Sequence, residues 1–252
     1  MSRSDLFSLK GRVALVTGAS SGLGRAAASF LAEAGARVVG LARRADALEQ
    51  WRSETSGETA ALAADLGEGA DIETLVAKAS EPFGPPDILV NAAGLNLRQP
   101  ADQVTPESWE RTMALNLTVP FFLAQALVPA MREKRWGRII NFASLQSRRA
   151  FPNGIAYGAS KGGVEQLTRA MAQAWSVDGI NANALAPGFF PTELTGPVFA
   201  DTAVASAHAA STCIGRNGEM ADIEGPLLFL ASEASVYVTG QLLFVDGGYT
   251  AK

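Results

Sequence analysis

Histidine and cysteine are almost absent from this sequence of 252 residues, which has one of each, His208 and Cys213. A disulfide within the chain needs two cysteines, and a zinc site usually takes several ligands from histidine and cysteine. A catalytic triad built on histidine would have to use His208, which lies among small residues. The sequence therefore predicts no disulfide, no metal site and no such triad.

An excess of positive charge is also missing, because 21 Lys and Arg face 25 Asp and Glu and give a net charge of −4 without a basic block. Proteins that bind nucleic acids usually carry such a block. The sequence has no apolar run of the roughly 18 residues that span a bilayer, and its first residues carry charges where a signal peptide is apolar. We therefore expect a soluble cytoplasmic protein with neither nucleic acid nor membrane as partner.

Short apolar runs alternate with stretches of helical spacing along most of the chain, most clearly at 108–131 and 155–176. This alternation predicts βαβ units, in which helices cover both faces of a parallel sheet. No Pro/Gly/Ser-rich linker divides the chain, so we predict one α/β domain with a doubly wound parallel sheet of about seven strands. The predicted strands are 12–17, 37–41, 59–64, 87–91, 138–142, 180–185 and 242–245.

One long irregular segment, residues 187–202, contains three prolines and two glycines directly after a predicted strand. Loops of this length in compact domains are usually functional, although a plain surface connection is the alternative. We predict that residues 187–215, which include this segment, form the substrate-side region.

A glycine-rich turn, TGASSGLG at 17–24, follows the first predicted strand, and a helical pattern begins at once. In such a unit Gly18 can make the tight turn, Gly22 lets phosphates approach, and Gly24 allows the helix to pack closely on the strand. The spacing departs from the G-x-G-x-x-G fingerprint, and glycines also occur in ordinary βα turns. Its place after the first strand favours a dinucleotide site.

Two arginines, Arg43 and Arg44, stand where the second predicted strand ends. An acidic residue here would accept hydrogen bonds from the adenosine ribose, whereas arginine suits a 2′-phosphate. A solvated start to the next helix is the alternative explanation. We expect NADP(H) to be favoured, with NAD(H) as the alternative.

Tyr157 and Lys161 are four residues apart in a helical stretch and so share a helix face. An ammonium beside a phenol favours the phenolate and moves the phenol pKa towards neutrality, which suits acid–base catalysis. Any such pair would fit, so the context matters. Ser144 follows a predicted strand, and Asn116 lies inside a helical stretch, where asparagine is unusual.

Taken in order along the chain, these elements resemble the short-chain dehydrogenase/reductase family over essentially the whole length. Two departures are small: Ala92 stands where the family often has asparagine, and Ala143 replaces a frequent serine. The resemblance implies a single-domain Rossmann-type fold over residues 1–252. The matching elements are TGASSGLG at 17–24, NAAG at 91–94, Asn116, Ser144, YGASK at 157–161, PG at 187–188 and VDGG at 245–248.

The family resemblance also implies roles for individual residues. Tyr157 would exchange a proton with the substrate oxygen, and Ser144 would hold that oxygen. Lys161 would lower the pKa of the tyrosine and bind the nicotinamide ribose, and Asn116 would position a water that links Lys161 to solvent. The coenzyme-binding residues would be Gly18, Ser20, Ser21, Gly22, Leu23, Gly24, Arg43, Arg44, Asp65, Leu66, Asn91, Ala92, Gly94, Tyr157, Lys161, Pro187, Gly188 and Thr192.

The substrate is less well determined by the sequence. Stretches such as AGLNLRQP and INFASLQSRRA resemble the branch of the family that contains gluconate 5-dehydrogenase and 2-deoxygluconate 3-dehydrogenase, which implies a sugar acid or small polyhydroxy ketone. Arginines near the nicotinamide end could hold a carboxylate, although they could equally be solvated surface. The candidate substrate residues are Arg98, Gln146, Arg148 and Arg149.

Other functions stay open from the sequence. Within the family, the protein could be a 3-oxoacyl-thioester reductase, which would need a basic docking patch for its protein-borne substrate. Outside oxidoreductases, it could be a catalytically silent coenzyme-binding regulator or a lyase or isomerase on the same fold. Relatives usually form tetramers through the long helices and the last strand, so the resemblance implies a homotetramer.

Overall fold

A computed structural model describes residues 6–67 and 69–252, and its centre is a parallel sheet with strand order β3-β2-β1-β4-β5-β6-β7. The order reverses between β1 and β4, and open α/β sheets bind ligands at the carboxyl ends of strands at such a point. The predicted doubly wound α/β fold is confirmed. The strands are β1 (Val13–Thr17), β2 (Arg37–Ala42), β3 (Thr59–Ala63), β4 (Ile88–Asn91), β5 (Gly137–Phe142), β6 (Ile180–Pro187) and β7 (Leu242–Val245).

Helices connect the strands and cover both faces of the sheet. Each predicted strand lies within two residues of an observed one, and the predicted helix at 155–176 matches the longest α-helix. The helices are α1 (Gly22–Glu33), α2 (Ala45–Glu54), α3 (Ile72–Ser80), α4 (Pro106–Met113), α5 (Val119–Glu133), α6 (Ile155–Trp175), α7 (Gly196–Phe199), α8 (Thr202–Ser211) and α9 (Glu224–Ala231).

Successive side chains of β1 enter two different apolar cores, because neighbouring residues of a strand point to opposite faces. Ala14 and Val16 belong to the core that α1, α2 and α9 cover, and Leu15 belongs to the core that α3, α5 and α6 cover. Every residue of β1 is buried. Burial on both faces explains why these strands are continuous apolar runs rather than alternating ones.

The stretch predicted as a helix at 108–131 has a π-helical turn in its middle. α4 begins at Pro106, and Thr105 caps it by accepting a hydrogen bond from the backbone of Ser108. The π turn, Ala114–Thr118, joins α4 to α5 and contains the buried Asn116. π turns are rare in proteins, and those that occur are often found at functional sites.

The combined helix Pro106–Glu133 is, by length and composition alone, apolar enough to cross a membrane, and no other helix in the described part of the chain is. The expectation that no segment reaches this limit is therefore wrong, because residues 114–131 carry no charge and contain only three strongly polar side chains, those of Asn116, Thr118 and Gln125. A core helix of a soluble protein passes the same criterion. Leu123, Leu127 and Met131 of this helix are buried against the sheet.

The segment 187–202 is less irregular than predicted. Pro187 is the last residue of β6, and a 3₁₀ turn, Glu193–Thr195, precedes α7. The Thr192 side chain accepts a hydrogen bond from the backbone of Thr195, and this cap sets the turn. The prediction of one continuous loop is wrong in this respect, because it was based on the prolines and did not consider that Thr192 can cap a turn.

Candidate active site

The glycine turn lies at the carboxyl end of β1 and touches the turn after β4. Gly18 has a φ of +74°, and a Cβ there would lie 2.9 Å from the Ala93 backbone nitrogen. The Thr17 hydroxyl accepts hydrogen bonds from the backbone nitrogens of Ala92 and Ala93, at 3.1 and 3.0 Å. A Cβ on Gly24 would collide with the Gly18 carbonyl oxygen. Glycine is therefore required at both positions for this close approach.

The start of α1 is available to bind phosphate. Its N-cap residue, Ser21, makes no side-chain cap hydrogen bond, and its first turn has no acidic residue. Leu23 packs its side chain against the core. The free backbone N–H groups of a helix start attract anions, so the turn fits the pyrophosphate of a dinucleotide.

The loop after β6 reaches back to the glycine turn. Gly188 donates its backbone N–H to the Val245 oxygen at 2.9 Å and so continues the pairing of β6 with β7. A Cβ on Gly22 would lie 3.2 Å from the Thr192 side chain. The predicted coenzyme residues Gly22 and Thr192 are thus neighbours, and Gly188 lies where the loop to Thr192 leaves β6.

At the end of β2 the two arginines differ. The Arg44 guanidinium forms a two-point ion pair with Glu193, with nitrogen–oxygen distances of 2.9 and 3.1 Å, and also donates to the Ser20 hydroxyl at 3.3 Å. Arg43 is exposed and has no side-chain hydrogen bond or ion pair with the described residues. The hydrogen bond from Arg44 lowers the pKa of the Glu193 carboxyl, which is therefore ionised at neutral pH.

Three other predicted coenzyme residues have their side chains turned elsewhere. Leu66 is buried in the core, and the Asp65 side chain accepts a hydrogen bond from the Gly67 backbone. The Asn91 side chain donates to Asn141 at 2.9 Å inside the protein. For Leu66 and Asn91, the backbone is therefore the part that can reach a coenzyme.

Tyr157, Lys161 and Ser144 come together at the carboxyl end of β5. Tyr157 and Lys161 are buried one turn apart on α6, and the Ser144 hydroxyl lies close enough to the Tyr157 phenol to lower the pKa of that phenol. The Lys161 Nζ lies 5.7 Å from the centre of the Tyr157 ring and donates a hydrogen bond to the Phe142 backbone oxygen at 2.5 Å. The arrangement places a phenol, a hydroxyl and an ammonium side by side.

The pKa values in this cluster follow from burial. Burial raises the pKa of the Tyr157 phenol, against the lowering effects of the Ser144 hydrogen bond and the Arg98 charge. Burial lowers the pKa of the Lys161 ammonium to about 8. The expected net lowering of the tyrosine pKa is not found, because burial outweighs the neighbouring groups and the lysine is turned to the Phe142 oxygen. The phenol therefore keeps its proton at neutral pH.

Asn116 connects the π turn to the turn after β4 and to α6. Its side chain exchanges two hydrogen bonds with the Leu95 backbone, both at 2.9 Å, and donates to the Ser160 hydroxyl at 3.0 Å. Gly94 lies between Asn116 and Lys161, because a Cβ there would be 3.3 Å from the Asn116 Oδ1 and 3.8 Å from the Lys161 Nζ. Asn116 thus holds the wall of the site beside the lysine.

The predicted substrate residues divide into two groups. The Arg98 charge is close enough to act on the Tyr157 phenol, and its guanidinium donates to the Leu194 oxygen at 3.1 Å. The Gln146 Oε1 is buried without a hydrogen-bond partner near the start of α6. Both lie beside the catalytic cluster, which consists of Tyr157, Ser144 and Lys161.

The other two predicted substrate residues are bound by the protein itself. Arg148 forms a two-point ion pair with Glu165 of α6, with a shortest distance of 2.7 Å. Arg149 lies over the Tyr249 ring and donates to the Lys252 backbone oxygen. The prediction that Arg148 binds substrate is not supported, because a carboxylate of the protein already occupies its guanidinium.

A cavity of about 280 Å³ lies between the ends of β6 and β7 and the segment 212–218. Neither Tyr157 nor Ser144 lines it, so we place the reaction at the catalytic cluster rather than in this cavity. Beside it, His208 stacks on Phe189 with 3.6 Å between ring centres, and burial lowers its pKa. Across residues 6–67 and 69–252, no group of three His, Cys, Asp or Glu residues is placed to hold a metal ion.

Sequence reasoning missed two residues of the site. Ser160 fixes the Asn116 side chain, and it could have been suspected only because it lies inside YGASK. Glu193 binds Arg44 although 149 positions separate them along the chain. Contacts this far apart have no local sequence signal, so Glu193 emerges only from the fold.

Known proteins resemble this chain over nearly its whole length. The family model described as enoyl-(acyl carrier protein) reductase matches residues 18–250. The gluconate 5-dehydrogenase of Gluconobacter oxydans (strain 621H) is 40% identical over 99% of both chains. The 2-dehydro-3-deoxy-D-gluconate 5-dehydrogenase of Escherichia coli (strain K12) is 40% identical over 98% of both.

A solved structure is similar over the same length. The crystal structure of a gluconate 5-dehydrogenase from Burkholderia cenocepacia J2315 in complex with NADP and tartrate has a TM-score of 0.90 and 40% identity, and the match covers 98% of each chain. With the glycine turn and the Ser144, Tyr157 and Lys161 cluster in place, these matches show that the chain belongs to the short-chain dehydrogenase/reductase family.

Proposed function

We propose that the protein is an NAD(P)-dependent oxidoreductase that interconverts a secondary alcohol and its ketone, with a sugar acid or a small polyhydroxy ketone as substrate. The observation that carries the proposal is the meeting of Tyr157, Ser144 and Lys161 at the carboxyl end of β5, where only the turn after β4 separates them from the glycine turn. The identity of 40% to gluconate and deoxygluconate dehydrogenases supports the sugar-acid class.

The donor set at the glycine turn fits a phosphate-bearing coenzyme. The Glu193 carboxylate already collects hydrogen bonds from Ser21 and Arg44, which indicates that donors converge on an anion there. We favour NADP(H) because two arginines, Arg43 and Arg44, and no acid stand at the end of β2. NAD(H) is the alternative coenzyme.

The chain's own residues supply the proton chemistry, and the bound nicotinamide supplies the hydride in reduction or accepts it in oxidation. In reduction, Tyr157 donates its phenolic proton to the substrate oxygen, and in oxidation it takes the alcohol proton back. Ser144 donates a hydrogen bond to the same oxygen and stabilises its developing charge. Lys161 stabilises the phenolate left on Tyr157 by its charge, although in the coenzyme-free protein burial has the larger effect and raises the pKa of the phenol.

The proton given up by Tyr157 has to be replaced from solvent. We place a water above Gly94, between the Asn116 Oδ1 and the Lys161 Nζ, where the absence of a side chain leaves room. Asn116 would hold this water and Lys161 would pass the proton. Asn116 suits the task because three hydrogen bonds fix its side chain.

Arg98 and Gln146 give the site its selectivity for sugar acids in this proposal. A guanidinium binds a carboxylate through paired hydrogen bonds, and Arg98 lies near the Tyr157 phenol. The Gln146 side chain is half-buried, and its amide N–H groups can donate a hydrogen bond to a substrate hydroxyl. The region 187–215 closes the substrate side of the same single domain.

The test is a substrate screen with NADPH, NADH and their oxidised forms, followed by absorbance of the reduced nicotinamide. The panel holds sugar acids and keto acids of sugars, the matching neutral polyols and ketones, and 3-oxoacyl thioesters. We expect turnover of a sugar acid with a higher kcat/KM than that of its neutral analogue. Turnover of no member of the panel would refute the proposal and favour a catalytically silent coenzyme-binding regulator.

A second candidate is the reduction of 3-oxoacyl thioesters. The description of the matching family model, an acyl-carrier-protein reductase, favours it. It requires a basic docking surface for a carrier protein, which a net charge of −4 does not provide overall. A higher kcat/KM for the thioesters than for the sugar acids would establish it.

We also propose that four copies assemble through the long helices and β7, and that the enzyme works in the cytoplasm on a small-molecule substrate, without nucleic acid or membrane partners. Support comes from large apolar side chains exposed on these elements, Phe122 on α5, Ile155 on α6 and Leu243 on β7. Light scattering during size-exclusion chromatography should give the mass of four chains, and a monomer mass would contradict this assembly.

A further inference from the structure

Glu193 closes the coenzyme groove over the end of β2. Its carboxylate accepts from the Arg44 Nη1 and Nη2 at 2.9 and 3.1 Å and from the Ser21 hydroxyl at 3.1 Å. Ser21 belongs to the glycine turn, Arg44 to the start of α2, and Glu193 to the turn after β6. One carboxylate thus joins the three segments that a dinucleotide has to pass between.

The local structure does not depend on Glu193. Thr192 caps the 3₁₀ turn through its own side chain, and the Thr195 hydroxyl accepts a hydrogen bond from the Thr192 backbone N–H. The Glu193 side chain is 64% exposed and the Arg44 side chain 52%. An exposed ion pair of this kind contributes little to folding, so its partners are free to exchange.

The Arg44 guanidinium binds an anion through a pair of N–H donors, and a carboxylate and a phosphate use the same pair. A coenzyme 2′-phosphate at the end of β2 therefore meets a guanidinium that Glu193 already holds. It also meets the negative charge of Glu193 well within the screening length of about 8 Å at physiological salt. A coenzyme without the 2′-phosphate encounters neither obstacle.

We infer that Glu193 determines coenzyme choice, because its carboxylate competes with the 2′-phosphate of NADP(H) for Arg44. The inference rests on the proposed function, which makes the groove a nicotinamide-dinucleotide site. NADP(H) binds after Arg44 exchanges Glu193 for the phosphate, with Arg43 as an additional cation. NAD(H) leaves the Arg44–Glu193 pair intact. Because of this competition, the preference for NADP(H) over NAD(H) is smaller than the two arginines alone would make it.

The experiment measures dissociation constants of NADPH and NADH by fluorescence titration in the wild type and in Glu193→Gln, without substrate. The quantity compared is the ratio of the NADH constant to the NADPH constant. The matched control is Glu49→Gln, which removes the same charge from an exposed ion pair with Arg52 on α2. The two variants Arg44→Ala and Arg44→Ala/Glu193→Gln complete a double-mutant cycle.

We expect the ratio to rise roughly twofold to fivefold in Glu193→Gln, the size typical of an exposed charge pair. It should stay unchanged in Glu49→Gln, and Glu193→Gln should raise it much less once Arg44 is alanine, because only the direct repulsion between Glu193 and the phosphate is then relieved. The rise should shrink in 1 M salt, where the screening length is about 3 Å.

An unchanged or lower ratio in Glu193→Gln, including equal tightening of both coenzymes, would overturn the inference and leave the proposed function standing. A rise that is equally large in the Arg44→Ala background would also overturn it, because Arg44 would not be the shared partner. If neither coenzyme binds the wild type, the proposed function itself fails and the inference fails with it.

Discussion

The Lys161 ammonium donates a hydrogen bond to the Phe142 backbone oxygen, 2.5 Å away, from a buried position beside the Tyr157 phenol. The bond ties α6 to the end of β5, so it sets where the lysine and the tyrosine stand. Burial disfavours the charged form of both groups, and it therefore lowers the pKa of Lys161 to about 8 and raises that of Tyr157.

The depressed pKa of Lys161 makes stability depend on pH. In the unfolded chain the lysine stays protonated up to its ordinary pKa of 10.5, whereas in the folded protein it loses its proton above about 8. The unfolded state then binds more protons, so the free energy of unfolding rises with pH between 8 and 10. Relative to Lys161→Met, the wild type should gain on the order of 2 kcal/mol over this range.

The measurement is urea unfolding of both coenzyme-free proteins at half-unit pH steps. Subtracting the two curves removes the titrations that the proteins share. A difference that stays flat from pH 8 to pH 10 would show that the lysine keeps an ordinary pKa in the folded state.

Tyr157→Phe should abolish turnover and spare coenzyme binding. The variant loses the phenolic proton but keeps the ring in its buried position, so the packing around Lys161 is retained. A positioned general acid contributes about 10²- to 10⁴-fold, and we expect kcat to fall by at least that range. NADPH affinity from fluorescence titration is the control, and substantial activity with unchanged affinity would remove Tyr157 from the catalytic role.

Much of the fold was predictable because buried parallel strands are continuous apolar runs. The apolar runs 12–17 and 138–142 predict β1 and β5, which are buried throughout, and the strand order follows the doubly wound pattern. The π turn around Asn116 was not predictable, since it differs from an α-helix by one added residue rather than by composition. Asn116 was noticed only because asparagine is unusual inside a helix.

The candidate site was predictable where its residues lie close in sequence or in a motif. Tyr157 and Lys161 share a helix turn, and Ser144 follows a strand. The Glu165 carboxylate that binds Arg148 and the Glu193 carboxylate that binds Arg44 were not predictable. Each comes from a segment that only the folded sheet brings near, so the arginines were expected to be free for ligands.

Arg98→Gln should weaken the binding of sugar-acid substrates and leave the binding of coenzyme unchanged. A charged hydrogen-bond pair contributes about 1.5–3 kcal/mol, so kcat/KM for a sugar acid should fall about 10- to 100-fold, mainly through KM. The neutral analogue should lose far less. Arg111→Gln, at an exposed arginine on α4, is the matched control and should change neither substrate. Equal losses for the acid and its neutral analogue would show that Arg98 does not bind the carboxylate.

Gly18→Ala should lower both the free energy of unfolding and the affinity for coenzyme. Gly18 has a φ of +74°, and the new Cβ would lie 2.9 Å from the Ala93 backbone nitrogen, which is hydrogen-bonded to Thr17. An L-residue in this conformation costs about 1–3 kcal/mol, and the clash pushes the turn after β4 away from the glycine turn. We expect unfolding at lower urea and NADPH binding at least several-fold weaker.

Gly11→Ala is the matched control for this change. Gly11 has a φ of +84° shortly before β1 begins, and apart from its chain neighbours nothing lies within 4 Å of the added Cβ. Alanine there meets the same backbone strain of about 1–3 kcal/mol without the clash, so this variant should unfold at lower urea and still bind NADPH as the wild type does. If both variants lost NADPH affinity alike, the close approach of Gly18 to Ala93 would not be what holds the coenzyme groove in shape.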